Sequence, residues 1–261
     1  MIQRIYISPE YASLKKFLIY IPSIMDNEGI FIYGGKRNLI KAFTAPDRKT
    51  VFVVKRYHVP NFINTFIYSW GVRRPKGFRA FYYPKILQKK DIETPVPVAY
   101  IEERTFSFIR KSYFISLECP YSHRLYEVED DAPEVYEPLA FALAHFVAHM
   151  HEQGILHLDF SPGNVLWDKD AEGHYHFSIV DINRMNFGPV SMKKGCKNFA
   201  RLWGPDHFFE LLSGEYASQR HFNVKVCRNL VFKERQKFWK GYNRRHKLKS
   251  FLRRKSSTNL I

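Results

Sequence analysis

Three side chains on one short stretch, His157, Asp159 and Asn164, could carry out phosphoryl transfer. The stretch reads His-Leu-Asp, then four residues, then Asn. Phosphoryl transfer needs a carboxylate beside the attacking hydroxyl and an oxygen ligand for Mg²⁺ on the phosphate side of the same loop. Asp159 could accept or orient the hydroxyl, and the side-chain carbonyl of Asn164 could reach the metal. We therefore predict Asp159 as the catalytic base, Asn164 as a metal ligand and His157 as a supporting residue.

A second acidic residue, Asp181, follows a predicted strand a short distance downstream. The run reads Phe-Ser-Ile-Val-Asp-Ile-Asn-Arg, and protein kinases place their second metal-binding Asp after such a strand. Here Asp-Ile-Asn stands where protein kinases have Asp-Phe-Gly. We predict Asp181 as the other metal ligand. Asn183 and Arg184 continue the site, and Arg184 either contacts phosphate or sugar or bridges to a carboxylate.

Two upstream features complete the order of residues that a kinase requires. Val51–Lys55 is an apolar run that ends in a lysine, and kinases use a strand lysine to hold the α- and β-phosphates. Gly34 and Gly35 lie in the turn of a predicted hairpin, where glycines would let backbone N–H groups approach phosphates. An ordinary hairpin turn explains these two glycines at least as well. We predict Gly34, Gly35 and Lys55 as nucleotide-binding residues.

The helix predicted over residues 79–90 lacks the acid that pairs with the strand lysine in kinases. It contains neither Glu nor Asp, the nearest acids are Asp91 and Glu93, and Pro84 lies inside it. A strand lysine without this partner is the main departure from the kinase pattern.

A long buried helix leads into the catalytic stretch. Apolar residues recur at helical spacing over residues 135–150, with Asp131 predicted as the cap, Pro133 in the first turn and Gly154 at the end. Short apolar runs on both sides of the catalytic stretch predict two buried strands that hold it rigid.

Composition indicates a globular chain. It has 261 residues, of which 45% are hydrophobic, and no apolar run is long enough to predict a transmembrane helix. The apolar run Phe17–Met25 lacks the layout of a signal peptide. Three widely spaced cysteines fit a reducing compartment and predict neither a disulfide framework nor a zinc site.

The net charge of +16 is concentrated near the C-terminus. Residues 225–255 contain 13 Lys or Arg and one Glu, which is +12 and leaves +4 for the rest of the chain. Such a segment favours nucleic acid, anionic lipid or a phosphorylated saccharide. Because no nucleic-acid recognition motif accompanies it, we predict no nucleic-acid partner and adsorption of this segment to an anionic membrane surface.

These residues together resemble a known family. The runs HLDFSPGNVLW, VDINRM and GCKNFARLWG are similar to those of the Kdo/heptose (WaaP-type) lipopolysaccharide kinases of Gram-negative bacteria. The likeness covers most of the chain, from about Gly29 to about Trp239. It implies an α+β, two-lobed protein kinase-like fold with a β-rich N-lobe (1–117), a helical catalytic C-lobe (118–245) and a flexible basic tail (246–261).

The resemblance also implies an activity. The chain would phosphorylate a sugar hydroxyl of the lipopolysaccharide inner core, on Kdo or heptose, using ATP and Mg²⁺. It would act in the cytoplasm, peripherally at the inner membrane. By the same resemblance Lys55 matches the ATP lysine, Asp159 the base, and Asn164 and Asp181 the metal ligands, while Tyr82 replaces the missing helix acid.

Two other functions fit part of the pattern. A pseudokinase, a regulatory module with a kinase-like fold, is favoured by the missing helix acid and disfavoured by the intact base and metal residues. A protein-directed Ser/Thr kinase would need an Ala-Pro-Glu motif, which is absent. The roughly ten residues between Asp181 and the next predicted helix leave little room for an activation loop.

Overall fold

The computed structural model describes residues 2–35, 38–58, 74–106, 108–129 and 131–258. The chain divides into two compact units. The first comprises Met1–Tyr121 and Ser178–Arg184, and the second comprises Ser122–Phe177 and Met185–Ile261. The segment around Asp181 thus belongs to the first unit, and the predicted lobe boundaries at residues 117 and 245 stay a prediction.

A six-stranded antiparallel sheet forms the first unit, in the order β1-β5-β6-β4-β3-β2. Its strands are β1 (Ile2–Ile7), β2 (Ile30–Gly34), β3 (Asn38–Thr44), β4 (Val51–Tyr57), β5 (Pro97–Thr105) and β6 (Phe108–Leu117). β2 pairs with β3, which confirms the predicted hairpin. β4, which carries Lys55, lies inside the sheet between β3 and β6, so its backbone is paired on both sides.

One face of this sheet packs against the first helix, α1 (Lys15–Ile24). Leu18 and Ile21 of α1 are fully buried in one cluster with Phe52 and Val54 of β4. The side chains of a strand alternate between faces, so Phe52 and Val54 point to this core, and Lys55 points to the opposite face. The predicted helix over residues 79–90 is observed as α2 (Lys76–Gln88), with Pro84 inside it.

The second unit is mainly helical. Its helices are α3 (Pro133–Glu152), α4 (Met192–Asn198), α5 (Asp206–Gln219) and α6 (Val224–Thr258). Its short strands are β7 (His123–Arg124), β8 (Ile155–His157), β9 (Val165–Lys169), β10 (Tyr175–Ile179, whose last two residues belong to the first unit) and β11 (Met185–Phe187). β8 and β9 are the buried strands that the sequence predicts on either side of the catalytic stretch.

Both ends of α3 follow from local backbone chemistry. The N-cap is Ala132, so the predicted cap at Asp131 is wrong; Pro133 takes the first helical position, and the cap is the residue before it. At the other end Gly154 has φ +72°, a conformation that glycine adopts without strain. Its carbonyl accepts a hydrogen bond from the Gly188 N–H at 2.8 Å. This hydrogen bond fixes the backbone just before β8 begins at Ile155.

Helix α6 is long and basic, and buried contacts hold it against the rest of the second unit. The Arg235 guanidinium lies 3.2 Å from the centre of the Phe209 ring and donates to the Leu202 carbonyl at 2.6 Å. Burial lowers the pKa of Arg235 to about 10. The helix continues to Thr258, into the segment predicted as a flexible tail. Within the described parts of the chain, no helix has the length and apolar character needed to cross a membrane.

Gly195 of α4 should tolerate no side chain. A Cβ there would overlap the buried Tyr216 hydroxyl, whereas a Cβ on Gly241 of α6 would meet nothing. We expect Gly195→Ala to lower the free energy of unfolding by about 1–3 kcal/mol because the core is overpacked. Gly241→Ala should be neutral or stabilising by up to about 1 kcal/mol. Urea titrations of both variants test this, and equal effects of the two substitutions would contradict it.

Candidate active site

In the first unit, Lys55 of β4 pairs directly with Asp181. The Lys55 ammonium lies 2.6 Å from Asp181 Oδ1, and the two side chains are 13% and 27% exposed. They are 126 residues apart in the sequence. The structure therefore brings together the predicted nucleotide-binding lysine and one predicted metal ligand.

Asp181 has an unusual backbone conformation. Its φ is +57°, in the left-handed region that costs energy for most residues and that Asp and Asn tolerate better than others. The strand before it is held through both backbone polar groups of one residue, Ile179. The Ile179 N–H donates to the Glu93 carbonyl at 3.0 Å, and the Thr94 hydroxyl donates to the Ile179 carbonyl at 2.7 Å. This anchored strand aims the carboxylate at Lys55.

Asn183 completes a polar cluster around Asp181. Its side chain is buried, and its amide nitrogen donates to Asp181 Oδ1. Its Oδ1 is also buried and has no hydrogen-bond partner among the described residues, which is costly for an acceptor. A carboxylate beside an unsatisfied amide oxygen is a donor set that fits Mg²⁺, since this ion binds oxygen ligands. The residues present are thus compatible with a metal at Asp181.

The helix acid is not replaced by Tyr82, and that prediction is wrong. The Tyr82 ring is half exposed and stacks on the Phe78 ring, with the two ring centres 6.1 Å apart. The buried charged residue of α2 is Arg79, whose Nε has no hydrogen-bond partner in the described part of the chain. The acid that pairs with Lys55 is therefore Asp181 itself.

The two predicted turn glycines lie in a closed hairpin. Gly34 ends β2, and the Gly35 N–H donates to the Asn38 carbonyl at 3.0 Å. The Gly35 carbonyl lies 3.0 Å from His58 Nε2. The rest of the predicted turn, residues 36 and 37, lies outside the described residues. The nucleotide-binding role of both glycines stays a prediction, as does the role of Arg184, which is exposed in the first unit.

In the second unit, the catalytic stretch holds its own backbone in place. His157 is buried at the end of β8, and its Nδ1 accepts a hydrogen bond from the Asp159 N–H at 3.1 Å. The Asn164 side-chain NH₂ donates to the Asp159 carbonyl at 2.9 Å. Both polar groups of the Asp159 backbone are therefore fixed by predicted site residues. Because the amide nitrogen of Asn164 makes this bond, its amide oxygen is the end that could bind a metal.

The Asp159 carboxylate pairs with Arg201, which the sequence pattern did not single out. Arg201 ends a short 3₁₀ helix, Phe199–Arg201, that directly follows α4. Its guanidinium contacts Asp159 Oδ1, and the two side chains are 39% and 22% exposed. Burial lowers the pKa of Arg201, and the nearby positive charge of Arg245 lowers it further. The catalytic candidate is thus paired with a cation 42 positions away in the sequence.

A directed chain of hydrogen bonds ends on the backbone of the catalytic stretch. Asn198 donates through its NH₂ to the His157 carbonyl at 2.8 Å, so its Oδ1 faces His151 Nε2 at 3.1 Å. His151 must therefore carry its proton on Nε2, and its Nδ1 accepts from the Tyr216 hydroxyl at 2.8 Å. Arg220 donates to the Tyr216 oxygen at 3.2 Å. The chain is complete with a neutral His151, in agreement with the pKa of this imidazole, which burial lowers.

Asn198 and Arg201 are functional candidates that motif spacing could not reveal. Both are distant in sequence from the catalytic stretch, and no fixed spacing links them to it. The available signal was the run GCKNFAR, which carries part of the family resemblance. The structure explains that run, since it places Gly195 against Tyr216, Asn198 on the His157 carbonyl and Arg201 on the Asp159 carboxylate.

Comparisons with known proteins identify the family and the fold of this chain. The model of the lipopolysaccharide kinase (Kdo/WaaP) family matches residues 40–205. A solved structure of WaaP in complex with acyl carrier protein is similar over 91% of this chain and 98% of its own, with 15% identity and a TM-score of 0.60. A MAP kinase from Leishmania major, LmaMPK10, covers 80% of this chain and 60% of its own at 14% identity, with a TM-score of 0.42. No curated protein sequence matches. The predicted α+β, protein kinase-like fold is confirmed.

The buried His151 makes stability depend on pH. Burial is the main cause that lowers its pKa from 6.5 to about 4. The unfolded chain therefore binds a proton that the folded chain excludes, and the free energy of unfolding falls as pH drops from about 6.5 towards 4. At pH 4.5 we expect a loss of about 2 kcal/mol relative to pH 7 from this residue.

Urea titrations of wild type and His151→Gln at pH 7 and pH 4.5 measure this contribution. Other groups titrate in both proteins, so the difference between the two pH dependences isolates His151. The variant should lose less stability on acidification than wild type. An identical pH dependence would show that the pKa of His151 is the same in the folded and unfolded chain, and would contradict the prediction.

Proposed function

The chain belongs to the lipopolysaccharide kinase (Kdo/WaaP) family, and on that premise we propose that it transfers the γ-phosphoryl group of ATP to a sugar hydroxyl of the lipopolysaccharide inner core, on Kdo or heptose. The acceptor oxygen attacks the γ-phosphorus, and the bond from this phosphorus to the β-phosphate oxygen breaks. ADP leaves, and the hydroxyl proton passes to Asp159. Positioning and charge neutralisation carry most of such a reaction.

The Lys55–Asp181 pair is the observation that carries the proposal. A strand lysine and the aspartate that follows the later strand are the two groups a kinase uses on the phosphate side, and their charged atoms lie 2.6 Å apart. Neither sheet pairing nor core packing needs a charge at these positions. Their direct contact fits a site that neutralises its own charges before the nucleotide binds.

We expect nucleotide binding to exchange this ion pair. Lys55 would then bind the phosphate oxygens, and Asp181, no longer paired with the lysine, would be able to hold Mg²⁺. Mg²⁺ would supply charge neutralisation on the phosphates when bound. Asn183 keeps Asp181 oriented through its hydrogen bond during this exchange.

Asp159 acts on the acceptor side of the reaction. Its backbone is fixed by His157 and Asn164, so its carboxylate has a defined direction for the acceptor hydroxyl. General-base assistance of this kind contributes about 10²–10⁴-fold in rate. Strands β8 and β9 lie on either side of the catalytic stretch and hold it in place, so that no reorganisation of the backbone is needed during the reaction.

The basic face of α6 suggests where the protein works. Lys233, Lys237 and Lys240 are exposed and lie on one side of the helix, because residues three and four positions apart are neighbours. A row of ammonium groups attracts anionic lipid headgroups. We propose peripheral binding to the cytoplasmic face of the inner membrane. Most of the predicted tail beyond Lys247 lies outside the residues whose side chains are described.

Acyl carrier protein is a second proposed partner. The solved WaaP structure contains it in the complex. Co-elution of this chain with purified acyl carrier protein in gel filtration would support the same association here. Separate elution at micromolar concentration would contradict the proposed association.

A pseudokinase remains the alternative that the structure itself motivates. Helix α2 has no acid, and Lys55 is paired with Asp181. If Lys55 never leaves Asp181 for the phosphates, the chain would bind no nucleotide. Calorimetry with Mg-ATP separates the two functions. Binding supports the enzyme, and a well-folded chain without binding supports the pseudokinase.

Removal of the Asp181 charge should abolish transfer. We expect Asp181→Asn to lower kcat by at least about 10³-fold, because the metal and the phosphates lose their counter-charge. Acceptor-dependent release of ADP measures kcat with a lipopolysaccharide inner-core saccharide. Asp47→Asn is the matched control, since Asp47 is an exposed carboxylate that binds only its own turn. Equal rates in wild type and Asp181→Asn would refute the proposed reaction.

Removal of the basic face should weaken membrane binding. We expect the triple change of Lys233, Lys237 and Lys240 to Gln to cost about 3 kcal/mol of binding, on the order of a hundredfold, because each ammonium near an anionic surface contributes about 1 kcal/mol. Co-sedimentation with vesicles that contain phosphatidylglycerol measures the effect at about 0.1 M salt.

A matched control changes the same charge elsewhere. Lys15, Lys16 and Lys49 are exposed lysines of the first unit, and their triple change to Gln should leave vesicle binding nearly unchanged. If both triple variants lose the same affinity, the attraction follows net charge and α6 has no specific role.

A further inference from the structure

Arg201 occupies the carboxylate that the proposed reaction needs. Asp159 must turn an oxygen towards the acceptor hydroxyl, yet Asp159 Oδ1 is paired with the Arg201 guanidinium. This contact lies wholly within the second unit. An acceptor therefore meets an arginine and an aspartate together, and the arginine has to move or to share its hydrogen bonds.

A second cation lies beside Arg201. The Arg201 guanidinium lies 5.6 Å from the centre of the Phe238 ring on α6. Arg245 follows Phe238 by seven residues, two helical turns, and so lies on the same face of α6. Burial lowers the pKa of Arg201, and the positive charge of Arg245 lowers it further. Two like charges held together by the fold favour an anion that binds both.

The ion pair is suited to exchange. Arg201 is 39% exposed and Asp159 22% exposed, and partly exposed pairs contribute little net stability. A carboxylate or phosphate on the ligand could replace Asp159 as the partner of Arg201 at small cost. Guanidinium groups bind both anions through paired hydrogen bonds. A neutral sugar has no group that could make the same replacement.

We propose that Arg201 is an acceptor-recognition residue: an anionic group of the acceptor saccharide binds Arg201, with Arg245 beside it, and this releases the Asp159 carboxylate for the hydroxyl to be phosphorylated. The proposal rests on the proposed function and deepens it, since it defines the acceptor as a saccharide with a carboxylate or phosphate next to the reacting hydroxyl. The same contact then selects the substrate and activates the base.

The test compares acceptors that differ in their anionic groups. The probes are a deacylated inner-core saccharide with free Kdo carboxylates and phosphates, the same saccharide with methyl-esterified carboxylates, and the same saccharide after phosphatase treatment. Wild type should show a KM at least about tenfold higher for the probe that lacks the recognised anion, because a hydrogen bond between charged groups is lost. The probe whose KM rises identifies the recognised anion as a carboxylate or a phosphate.

Variants then assign the effect to Arg201. Arg201→Gln should raise KM for the untreated saccharide about tenfold or more and should no longer distinguish the three probes. Arg201→Lys, which keeps the charge but loses the paired donors, should retain part of the discrimination. Arg244→Gln removes an exposed neighbouring arginine and should behave as wild type. Thermal unfolding with and without Mg-ATP shows that each variant is folded and binds nucleotide.

Calorimetric titration with the three probes, without ATP, separates failure of this inference from failure of the proposed reaction. If wild type binds the anionic saccharide and Arg201→Gln does not, Arg201 recognises the anion even where no turnover is seen. If turnover occurs but Arg201→Gln lowers kcat equally for all probes at unchanged KM, Arg201 acts on the transferred phosphoryl group and the inference is overturned. If wild type binds none of the probes, the result contradicts both the inference and the proposed substrate.

Discussion

Each of the two candidate reactive carboxylates is neutralised by a cation that lies far away in the sequence. Asp181 pairs with Lys55 in the first unit, and Asp159 pairs with Arg201 in the second. A carboxylate that is partly removed from water needs such a partner. The fold must therefore bring β4 to the segment after β10, and the 3₁₀ helix that follows α4 to the loop after β8. Much of the local structure around both sites serves these two approaches.

Rigid backbone contacts set the direction of these side chains. In the second unit, the hydrogen-bond chain from Arg220 through Tyr216, His151 and Asn198 fixes the carbonyl of His157, and the His157 ring fixes the N–H of Asp159. Fully satisfied buried networks of this kind define one geometry. The side chain of Asp159 can then exchange partners while its backbone stays in place, as the proposed role of Asp159 requires.

Local patterns in the sequence were sufficient for the elements and for the residues within one loop. The hairpin of β2 and β3, helix α3 and the strands on either side of the catalytic stretch all follow from periodicity and turn chemistry. Lys55, Asp159 and Asp181 were selected by their order along the chain; the structure pairs Lys55 with Asp181, and the catalytic role of Asp159 stays a prediction. Arg201 and Asn198 could not be predicted, because their roles depend on how α4 packs and not on spacing. The replacement by Tyr82 failed for the same reason: helix rotation places Arg79 inside and Tyr82 outside.

The left-handed backbone at Asp181 restricts how this position can vary in evolution. Its φ of +57° favours Gly, Asn and Asp over other residues. The pairing with Lys55 separately demands a carboxylate. Asp alone meets both demands: Glu keeps the charge but is less tolerated in this backbone, and Gly or Asn relaxes the backbone but removes the charge. Drift between the two acids, which is common on protein surfaces, should therefore be rare at position 181, and a relative with Asn or Gly there would have abandoned the chemistry while keeping the fold.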